Sequence, residues 1–369
     1  MTWVRSHVIR HLKNNMSEML FRLTAGTHVG CVRTNNEDNF IVNEDLTRSE
    51  WFLPANTLDK ITLGESGAML VVADGMGGMN AGEVASAIAI DTIKEVFSAD
   101  LSSVTSSSKK IEAFLKNAIL EADAHIKAKV EEDSSTEGMG TTIVIAWILG
   151  NMVHVAWCGD SRAYIFNPSS GLVRVSKDHS YVQELVDAGK LDEELAFDHP
   201  NSNIITRSLG DSSVKARPDY ISRSLSEGDC VMLCSDGLCG LCRDEEIAGV
   251  MLKSENIEVC KTNLIKSALE EGGYDNVTVA LLEVSSIDET KAESVSDTTN
   301  DISRGKKRRK RGRRLTSLII IAALAALCGW LYYSGNWKPI LRYINGEIEN
   351  VLTEDSLKVE TVDTTQYEN

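Results

Sequence analysis

The sequence predicts an α+β domain in which two antiparallel β-sheets pack face to face and helices cover both outer surfaces. Three observations support this fold class. Apolar runs end at aspartate followed by glycine, two β-branched runs meet at Gly150-Asn151, and the helical segments come in pairs. Short turns join antiparallel strands, and helices that alternate with such strands can bury their apolar faces against the outer surface of a sheet. Of the 369 residues 43% are apolar, which is enough to bury at least one large core.

The first half of the chain combines strands with two predicted helices. Strands begin at Phe21, and the polar stretch 44–66 is predicted to be a loop or hairpin. Apolar residues at helical spacing predict helices over 82–97 and 109–130, separated by the serine-rich stretch 102–108. Helices of this kind would lie outside the two predicted sheets.

The second half begins with the predicted hairpin of strands 141–149 and 152–157, since Gly-Asn is a good signal for a tight turn between strands. The remaining predicted elements are a strand over 163–166, a turn over 167–171, a short strand up to Val175, a helix over 181–188, an irregular polar stretch up to Asp211, helices over 244–252 and 256–269, and a closing strand over 277–284.

Acidic residues recur where predicted strands begin or end. The apolar run 69–73 stops at Asp74-Gly75, and a second apolar run stops at Asp236-Gly. Further acidic residues precede other strands, namely Glu37, Asp38 and Asp275, and Arg33 lies close to the first two. A single Asp-Gly or Asp-Asn pair is an ordinary turn signal. The joint occurrence of four such clusters favours a shared site for a hard divalent cation, magnesium or manganese.

These residues belong to a series of motifs that occur in order along the chain. The motifs are Arg33 with Asn36-Glu-Asp38, Ala73-Asp-Gly-Met-Gly-Gly78, Gly82-Glu-Val-Ala-Ser, Gly138-Met-Gly-Thr-Thr, Gly159-Asp-Ser-Arg-Ala-Tyr, Asp178-His-Ser, His199-Pro, Ser235-Asp-Gly-Leu and Asp275-Asn-Val-Thr-Val. Together they resemble the signature of the metal-dependent serine/threonine phosphatases, the protein phosphatase 2C family, in its bacterial form. The resemblance covers about Arg22 to Val284.

The resemblance implies a four-layer α/β/β/α sandwich. It also implies hydrolysis of phosphoserine and phosphothreonine by a water that two manganese or magnesium ions activate, with no nucleophilic side chain. Implied site residues are Asp74 as the bridge between the metals, Glu37 and the Gly75 carbonyl at one metal, Asp236 and Asp275 at the other, Asp38 on metal-bound water, Arg33 as the phosphate grip, and Asp160 at a third metal. The stretch from Ser180 to Asp211 would be the flap beside this site.

Two positions depart from the family pattern. His28 stands where the family often has an aspartate, so a minor contact near the phosphate site is in question. Met76 stands where animal members carry a histidine thought to act as general acid, and methionine has no proton to donate. Metal-bound water or another group would then protonate the leaving alkoxide.

The charge is strongly segregated. The formal net charge is −16, yet residues 304–314 hold nine basic residues and no acidic one. An acidic body argues against nucleic-acid binding, which needs a positive surface. Residues 315–333 carry no charge along 19 residues, enough to cross a bilayer core of roughly 30 Å. Their basic flank favours a membrane helix over a buried core helix, and membrane attachment over a nuclear-localisation or nucleic-acid patch.

The predicted organisation is therefore a single-pass protein of the cytoplasmic membrane, with its catalytic domain in the cytoplasm. Its parts are an N-terminal extension over 1–20, the phosphatase catalytic domain over 21–284, a polar then basic linker over 285–314, the transmembrane helix over 315–333 and an extracytoplasmic acidic tail over 334–369. The extension lacks the apolar region of a secretory signal.

The eight cysteines follow no compact spacing pattern, which suits reduced thiols in a cytosol. Cys234, Cys239 and Cys242 raise the alternative of a zinc site. No paired cysteine motif or histidine motif lies nearby, so positions in the core are favoured.

Three functions are compatible with the motifs. The first is a membrane-anchored phosphatase that acts on phosphorylated serine and threonine of cytoplasmic proteins and opposes a Ser/Thr kinase. The second is an inactive domain that serves as a membrane-tethered scaffold, which the complete set of carboxylates disfavours. The third is a hydrolase of a small phosphorylated metabolite. The irregular flap would suit protein loops better than a small molecule.

Overall fold

Twelve strands and seven α-helices are present in the part of the chain that the computed structural model describes, residues 18–48, 50–51, 57–77, 81–211 and 216–288. The strands are β1 (Glu18–His28), β2 (Asp38–Asn43), β3 (Leu58–Thr62), β4 (Ala68–Met76), β5 (Gly140–Thr141), β6 (Ile143–Leu149), β7 (Met152–Cys158), β8 (Arg162–Asn167), β9 (Gly171–Arg174), β10 (Asp219–Ser224), β11 (Cys230–Cys234) and β12 (Val277–Asp288). The helices are α1 (Ala81–Phe97), α2 (Ser108–Glu132), α3 (Tyr181–Asp187), α4 (Glu193–Ala196), α5 (Asp236–Cys239), α6 (Asp244–Lys253) and α7 (Ile257–Glu270).

The strands form two sheets. In the first the order is β3-β1-β12-β11-β8-β9, and in the second it is β10-β7-β6-β4-β2, with β5 paired to the end of β4. Every one of these neighbouring pairs is antiparallel. The first strand of the domain, β1, pairs with the last, β12, along its whole length, so the two ends of the domain lie side by side.

A core of aliphatic and aromatic side chains fills the space between the sheets. In β4, Leu70 and Val72 point into this core, while Met69 and Val71 point to the opposite face and pack under α1 and α2. Successive side chains of a strand alternate between the two faces of a sheet. Both faces of β4 are buried, which explains why its sequence is an unbroken apolar run.

Helices cover the outer surface of each sheet. Helices α1 and α2 pack on the second sheet, while α6 and α7 pack on β11 and β12 of the first. The layers are therefore helix, sheet, sheet and helix, which confirms the predicted α/β/β/α sandwich. Cys234, Cys239 and Cys242 lie buried in the core beneath α6 and α7, the core position that the sequence favoured.

The sequence predicted the central elements better than the edges. The hairpin at Gly150-Asn151 is present, with Leu149 opposite Met152. Strand β3 lies inside the stretch predicted as a loop or hairpin, and β10 was not predicted at all. Both strands lie at sheet edges and pair on one side only. Edge strands with solvent-facing polar residues lack the apolar pattern by which strands are found.

No helix within the described residues is long and apolar enough to cross a membrane. The predicted transmembrane helix over 315–333 lies outside those residues, as do the predicted linker beyond residue 288 and the tail.

Three aromatic rings join the helical layer to the second sheet. Phe97 at the end of α1 contacts Phe114 and Trp147 edge to face, with ring centroids 4.9 and 5.2 Å apart. The indole of Trp147 also donates a hydrogen bond to the carbonyl oxygen of Ser66, 2.8 Å away. Such contacts add to the free energy gained from burial alone.

Replacing Phe97, which is 1% exposed, with alanine should lower the free energy of unfolding by about 3–5 kcal/mol, the usual cost of removing a buried aromatic ring. Urea unfolding measures this change. Leu252→Ala on α6 is the matched control, since Leu252 is 61% exposed and its loss should change little. A loss below about 1 kcal/mol for Phe97→Ala would contradict the packing described here.

Candidate active site

The predicted site residues meet at one end of the two sheets. Asp38 starts β2 directly opposite Asp74 on β4. Asp236 follows β11 at the start of α5, and Asp275 lies two residues before β12. Asp160 lies in the turn between β7 and β8. Strands from both sheets therefore deliver carboxylates to the same region, although these residues are far apart in the sequence.

Asp38 links the two sheets at this end. One of its carboxylate oxygens accepts hydrogen bonds from the hydroxyls of Ser235 and Thr278, at 2.7 and 2.6 Å, and both donors belong to the other sheet's side of the site. Burial raises the pKa of Asp38 to about 7, and the charges of Asp236 and Asp275 act in the same direction, while the two hydrogen bonds oppose the rise.

Asp74 and Asp160 share the same poorly solvated space. Burial raises the pKa of Asp74 well above its usual range, and the negative charges of Asp236, Asp38 and Asp160 raise it further. Burial likewise raises the pKa of Asp160, with Asp236 as the next contribution. Carboxyl groups that repel one another in a dry space favour either protons or a cation between them.

Three of these side chains have an oxygen without a partner. The Oδ1 atoms of Asp38, Asp160 and Asp236 are buried and have no hydrogen-bond partner. Buried polar atoms normally find partners, so unpaired carboxylate oxygens fit a bound cation. Across the described ranges, no three acidic, histidine or cysteine side chains form a metal-binding group by themselves. Main-chain oxygens and water would have to complete any such site, as is common around magnesium.

Arg33 stands at the rim of the site. Its Nη2 atom lies 2.7 Å from Oδ2 of Asp275, and its side chain is 51% exposed. The loop that carries Arg33 is held by Asn276, whose Nδ2 donates to the carbonyl oxygens of Val29 and Asn35, each at 2.9 Å. Asn276 fixes the approach of this loop to β12.

Asn276 also accepts a hydrogen bond from the backbone N–H of Glu37 at 2.7 Å, which places that carboxylate next to the others. Burial raises the pKa of Glu37, partly offset by the positive charge of Arg33. Sequence reasoning noted the Asp275-Asn pair but gave Asn276 no role. The available signal for Asn276 was its position, because it directly follows the predicted site residue Asp275 and precedes β12.

The glycine after each strand-end aspartate is required by close packing. A Cβ on Gly75 would lie 2.2 Å from the carbonyl oxygen of Gly82, and a Cβ on Gly237 would lie 1.9 Å from that of Asn276. Neither position can carry a side chain without moving the backbone. The Asp-Gly pairs therefore mark places where two segments of the main chain touch beside the carboxylates.

The motif Gly138-Met-Gly-Thr-Thr supports Asp74 from behind. Thr141 donates its hydroxyl to the backbone carbonyl oxygen of Asp74 at 2.8 Å, and the Thr142 backbone N–H donates to the same oxygen at 2.8 Å. The Asp74 N–H donates in turn to the hydroxyl of Thr142 at 3.1 Å. The motif thus fixes the main chain of the central aspartate, a role that the sequence did not reveal.

A cleft of about 940 Å³ opens from this centre, and Asp160, Asp236 and Asp275 line it. Arg162 stabilises its inner wall. The guanidinium group makes three hydrogen bonds to Asp178, at 2.7 to 3.1 Å, and a fourth to Asp244 at 3.3 Å. A planar guanidinium is well suited to such multiple contacts. This network was not predicted, although Arg162 and Asp178 both lie in the quoted motifs.

The two departures from the family pattern have plain structural settings. His28 accepts a hydrogen bond at Nδ1 from the backbone N–H of Gly30, 2.9 Å away, so its ring shapes the turn after β1. Met76 ends β4 and pairs with Gly140 of β5. Its side chain offers no proton.

Comparisons with known proteins agree with this fold. A family model described as "Protein phosphatase 2C" matches residues 26–277. The serine/threonine phosphatase stp of Listeria welshimeri is 32% identical over 257 residues, which is 70% of this chain and 93% of that protein. A solved serine/threonine phosphatase of S. agalactiae is 31% identical, with a TM-score of 0.61 over 72% of this chain and 99% of that one.

A further solved structure is the catalytic domain of the serine/threonine protein phosphatase PstP in complex with two manganese ions. It is 32% identical, with a TM-score of 0.57, and covers 72% of this chain and 99% of that chain. The fold and the relatives agree on a bacterial phosphatase. The chain belongs to the protein phosphatase 2C family, which confirms the predicted family and class of enzyme.

The acidic centre should make the metal-free protein less stable as the pH rises. A carboxyl group whose pKa is raised on folding stabilises the folded state while it is protonated, and this contribution is lost as the pH rises through its folded pKa, about 7 for Asp38. We expect Asp38→Asn to remove this contribution, on the order of a few kcal/mol, between about pH 4 and 7.

Urea unfolding of chelator-treated protein at several pH values measures the effect. The difference in unfolding free energy between wild type and Asp38→Asn should shift against the wild type as the pH rises. Asp91→Asn, at an exposed ion pair with Lys94 on α1, is the control. A difference that stays constant with pH would rule out a raised pKa at Asp38.

Proposed function

We propose that this chain is a metal-dependent phosphatase that hydrolyses phosphoserine and phosphothreonine on cytoplasmic proteins, is anchored in the cytoplasmic membrane and opposes a Ser/Thr kinase. One observation carries the chemical part. Three buried aspartates with unpaired oxygens converge near a half-exposed arginine, and two of them line a cleft together with Asp275, the partner of that arginine. Its relatives named as serine/threonine phosphatases support the substrate class.

Arg33 is the proposed phosphate grip. Nη2 donates a hydrogen bond to Asp275 at 2.7 Å, which orients the guanidinium group and leaves its other nitrogens available for a phosphate. The side chain is close enough to the acidic centre for Asp275, Glu37 and Asp236 to raise its pKa, so it stays fully charged. A rigid, charged fork binds two oxygens of a phosphate monoester.

The proposed metal ligands are Glu37, Asp74, the Gly75 carbonyl, Asp236 and Asp275, with Asp38 on bound water and Asp160 at a third ion. The manganese complex of PstP supports this assignment by analogy. When bound, two divalent ions would lower the pKa of a shared water and stabilise charge on the phosphate. The carboxylates would hold the two ions at one end of the cleft. Arg33 would orient the phosphate toward them.

Protonation of the departing serine or threonine oxygen has to come from elsewhere than position 76. In the metal-free protein burial raises the pKa of Asp38 to about 7, so this buried carboxyl group would be able to hold a proton at the centre near neutral pH. Its hydrogen bonds from Ser235 and Thr278 keep it in place while it does so.

Membrane anchoring rests on the sequence alone. The uncharged segment 315–333, with nine basic residues before it, supports a single span whose N-terminal side is cytoplasmic. That orientation places the catalytic domain among cytoplasmic phosphoproteins, where a Ser/Thr kinase would act on the same proteins.

Asp74→Asn and Asp236→Asn should each reduce turnover by roughly a hundredfold or more, because each removes a negative charge from the centre on which phosphate hydrolysis depends. Release of phosphate from a phosphothreonine peptide with manganese measures the effect. Asp91→Asn on α1 should retain wild-type turnover. Circular dichroism shows whether the variants fold.

The same assay separates the alternatives. Normal turnover in both Asp74→Asn and Asp236→Asn would remove the proposed centre. A wild-type protein inactive with both magnesium and manganese would favour the scaffold function. Activity on small phosphate esters but on no phosphopeptide would favour a metabolite hydrolase.

Protease added to intact cells should cleave this protein only after Tyr333, because the bilayer shields everything on its N-terminal side. Immunoblotting with an antibody against the catalytic domain would show a small decrease in mass. Permeabilised cells, in which the catalytic domain is also digested, are the control. An unchanged mass in intact cells, or digestion of the catalytic domain there, would refute the proposed topology.

A further inference from the structure

The cleft beside the acidic centre has walls formed by the flap and by α6. Its inner end is lined by Asp160 and Asp236, which each have a buried oxygen without a partner, so this cleft leads to the place where the phosphate would bind. Asp160 is only 6% exposed. A volume of about 940 Å³ is far more than one phosphate needs and is enough for several residues of a peptide.

The outer part of this cleft is negatively charged. Its lining includes Asp192 and Glu194 at the start of α4, and Glu245 in the first turn of α6. All three are exposed. In the part of the chain described, no hydrogen bond or ion pair engages these three side chains. We refer to Asp192, Glu194 and Glu245 as the acidic rim.

The arginines that line the cleft, in contrast, are already engaged. Arg162 is bound to Asp178 and Asp244. Arg174 lies 3.6 Å from Glu193, and Arg243 lies 2.5 Å from Asp198. The positive charges of the cleft are therefore neutralised within the protein, and outside the acidic centre its unneutralised charge is that of the acidic rim.

The two walls that carry the acidic rim are joined to each other. The guanidinium of Arg243 at the start of α6 also lies over the ring of Phe197 just after α4, 4.3 Å from its centroid. This contact and the Asp198 ion pair join the two walls. Acidic residues are favoured in the first turn of any helix because of its dipole, but that preference does not explain why two helices direct unpaired carboxylates into one cleft.

We infer that the acidic rim selects phosphoprotein segments with lysine or arginine near the phosphorylated residue. This inference rests on the proposed function and names the substrate class of the same site. The dianionic phosphate is repelled by an acidic cleft and needs Arg33 and cations to bind. Basic residues of the same segment reduce that repulsion and gain attraction from the rim.

The apolar part of the lining is compatible with the stems of such side chains. Leu241 and Tyr274 line the cleft together with Phe197, and Tyr274 is 63% exposed. Lysine and arginine bury their methylene stems on apolar surface while the charged group remains in contact with carboxylates or water.

The test compares two phosphothreonine peptides that differ only in flanking charge. One carries two arginines on each side of the phosphothreonine, and the other carries glutamates at those positions. We expect wild-type protein with manganese to show kcat/KM about tenfold higher for the basic peptide, the sum of a few exposed charge pairs. The preference should decrease as salt is added.

Variants assign the preference to the rim. The triple change Asp192→Asn, Glu194→Gln, Glu245→Gln should reduce the ratio to about twofold, and lysine at all three positions should invert it. The control is Glu121→Gln, Glu131→Gln, Glu132→Gln, which alters net charge equally at exposed positions of α2 and should keep the tenfold ratio.

Equal kcat/KM for the two peptides in the wild type, or a ratio that the rim variants leave unchanged, would overturn the inference while leaving the proposed function intact. Wild-type protein that hydrolyses neither peptide nor p-nitrophenyl phosphate would overturn the proposed function itself. Inversion of the preference by the lysine variant can arise only in a folded, active protein, so loss of folding cannot imitate it.

Discussion

The mutual repulsion of carboxylates in a poorly solvated space is the constraint on which the rest of this structure depends. Burial and neighbouring negative charge raise the pKa of Asp74, Asp160, Asp236 and Asp38 together. Burial of such groups costs free energy, so stability alone would favour acidic residues at the surface. The fold instead supplies rigid strands from both sheets, threonine and serine hydroxyls, and side-chain-free glycines that hold the groups together.

That rigidity comes from ordinary packing. The core between the sheets and the two helical layers outside it fix the strand ends. The site residues lie within a few positions of those ends in the sequence. Among the proposed metal ligands only Asp236 belongs to a helix, at the start of α5. The division between a packed scaffold and charged strand ends resembles that of many enzymes, in which stability and activity pull in opposite directions.

The sequence predicted the layered fold and picked out the acidic residues that meet at one end of the sheets, because both depend on short-range signals. An apolar run buried on both faces, such as 69–73, and an Asp-Gly pair after it are visible in a few consecutive residues. Two other features could not be predicted in this way. Asn276 donates hydrogen bonds to Val29 and Asn35, which are distant in the sequence. Arg162 binds Asp178, and no periodic pattern in the sequence indicates that pairing. The polar edge strand β10 was not predicted for a related reason. Its strand conformation depends on pairing with β7, which its own sequence does not show.

The pairing of β1 with β12 has a consequence for the order of events during synthesis. Arg33 is translated early and Asp275 late, and they meet only because Thr27 and His28 lie beside Thr278 and Val277 in the paired strands. A ribosome-bound chain that has not yet released β12 has only β3 as a partner for its first strand, and it lacks the carboxylate that pairs with Arg33. Contacts between distant parts of a chain form late in folding. The site can therefore assemble only after almost the whole domain has been synthesised.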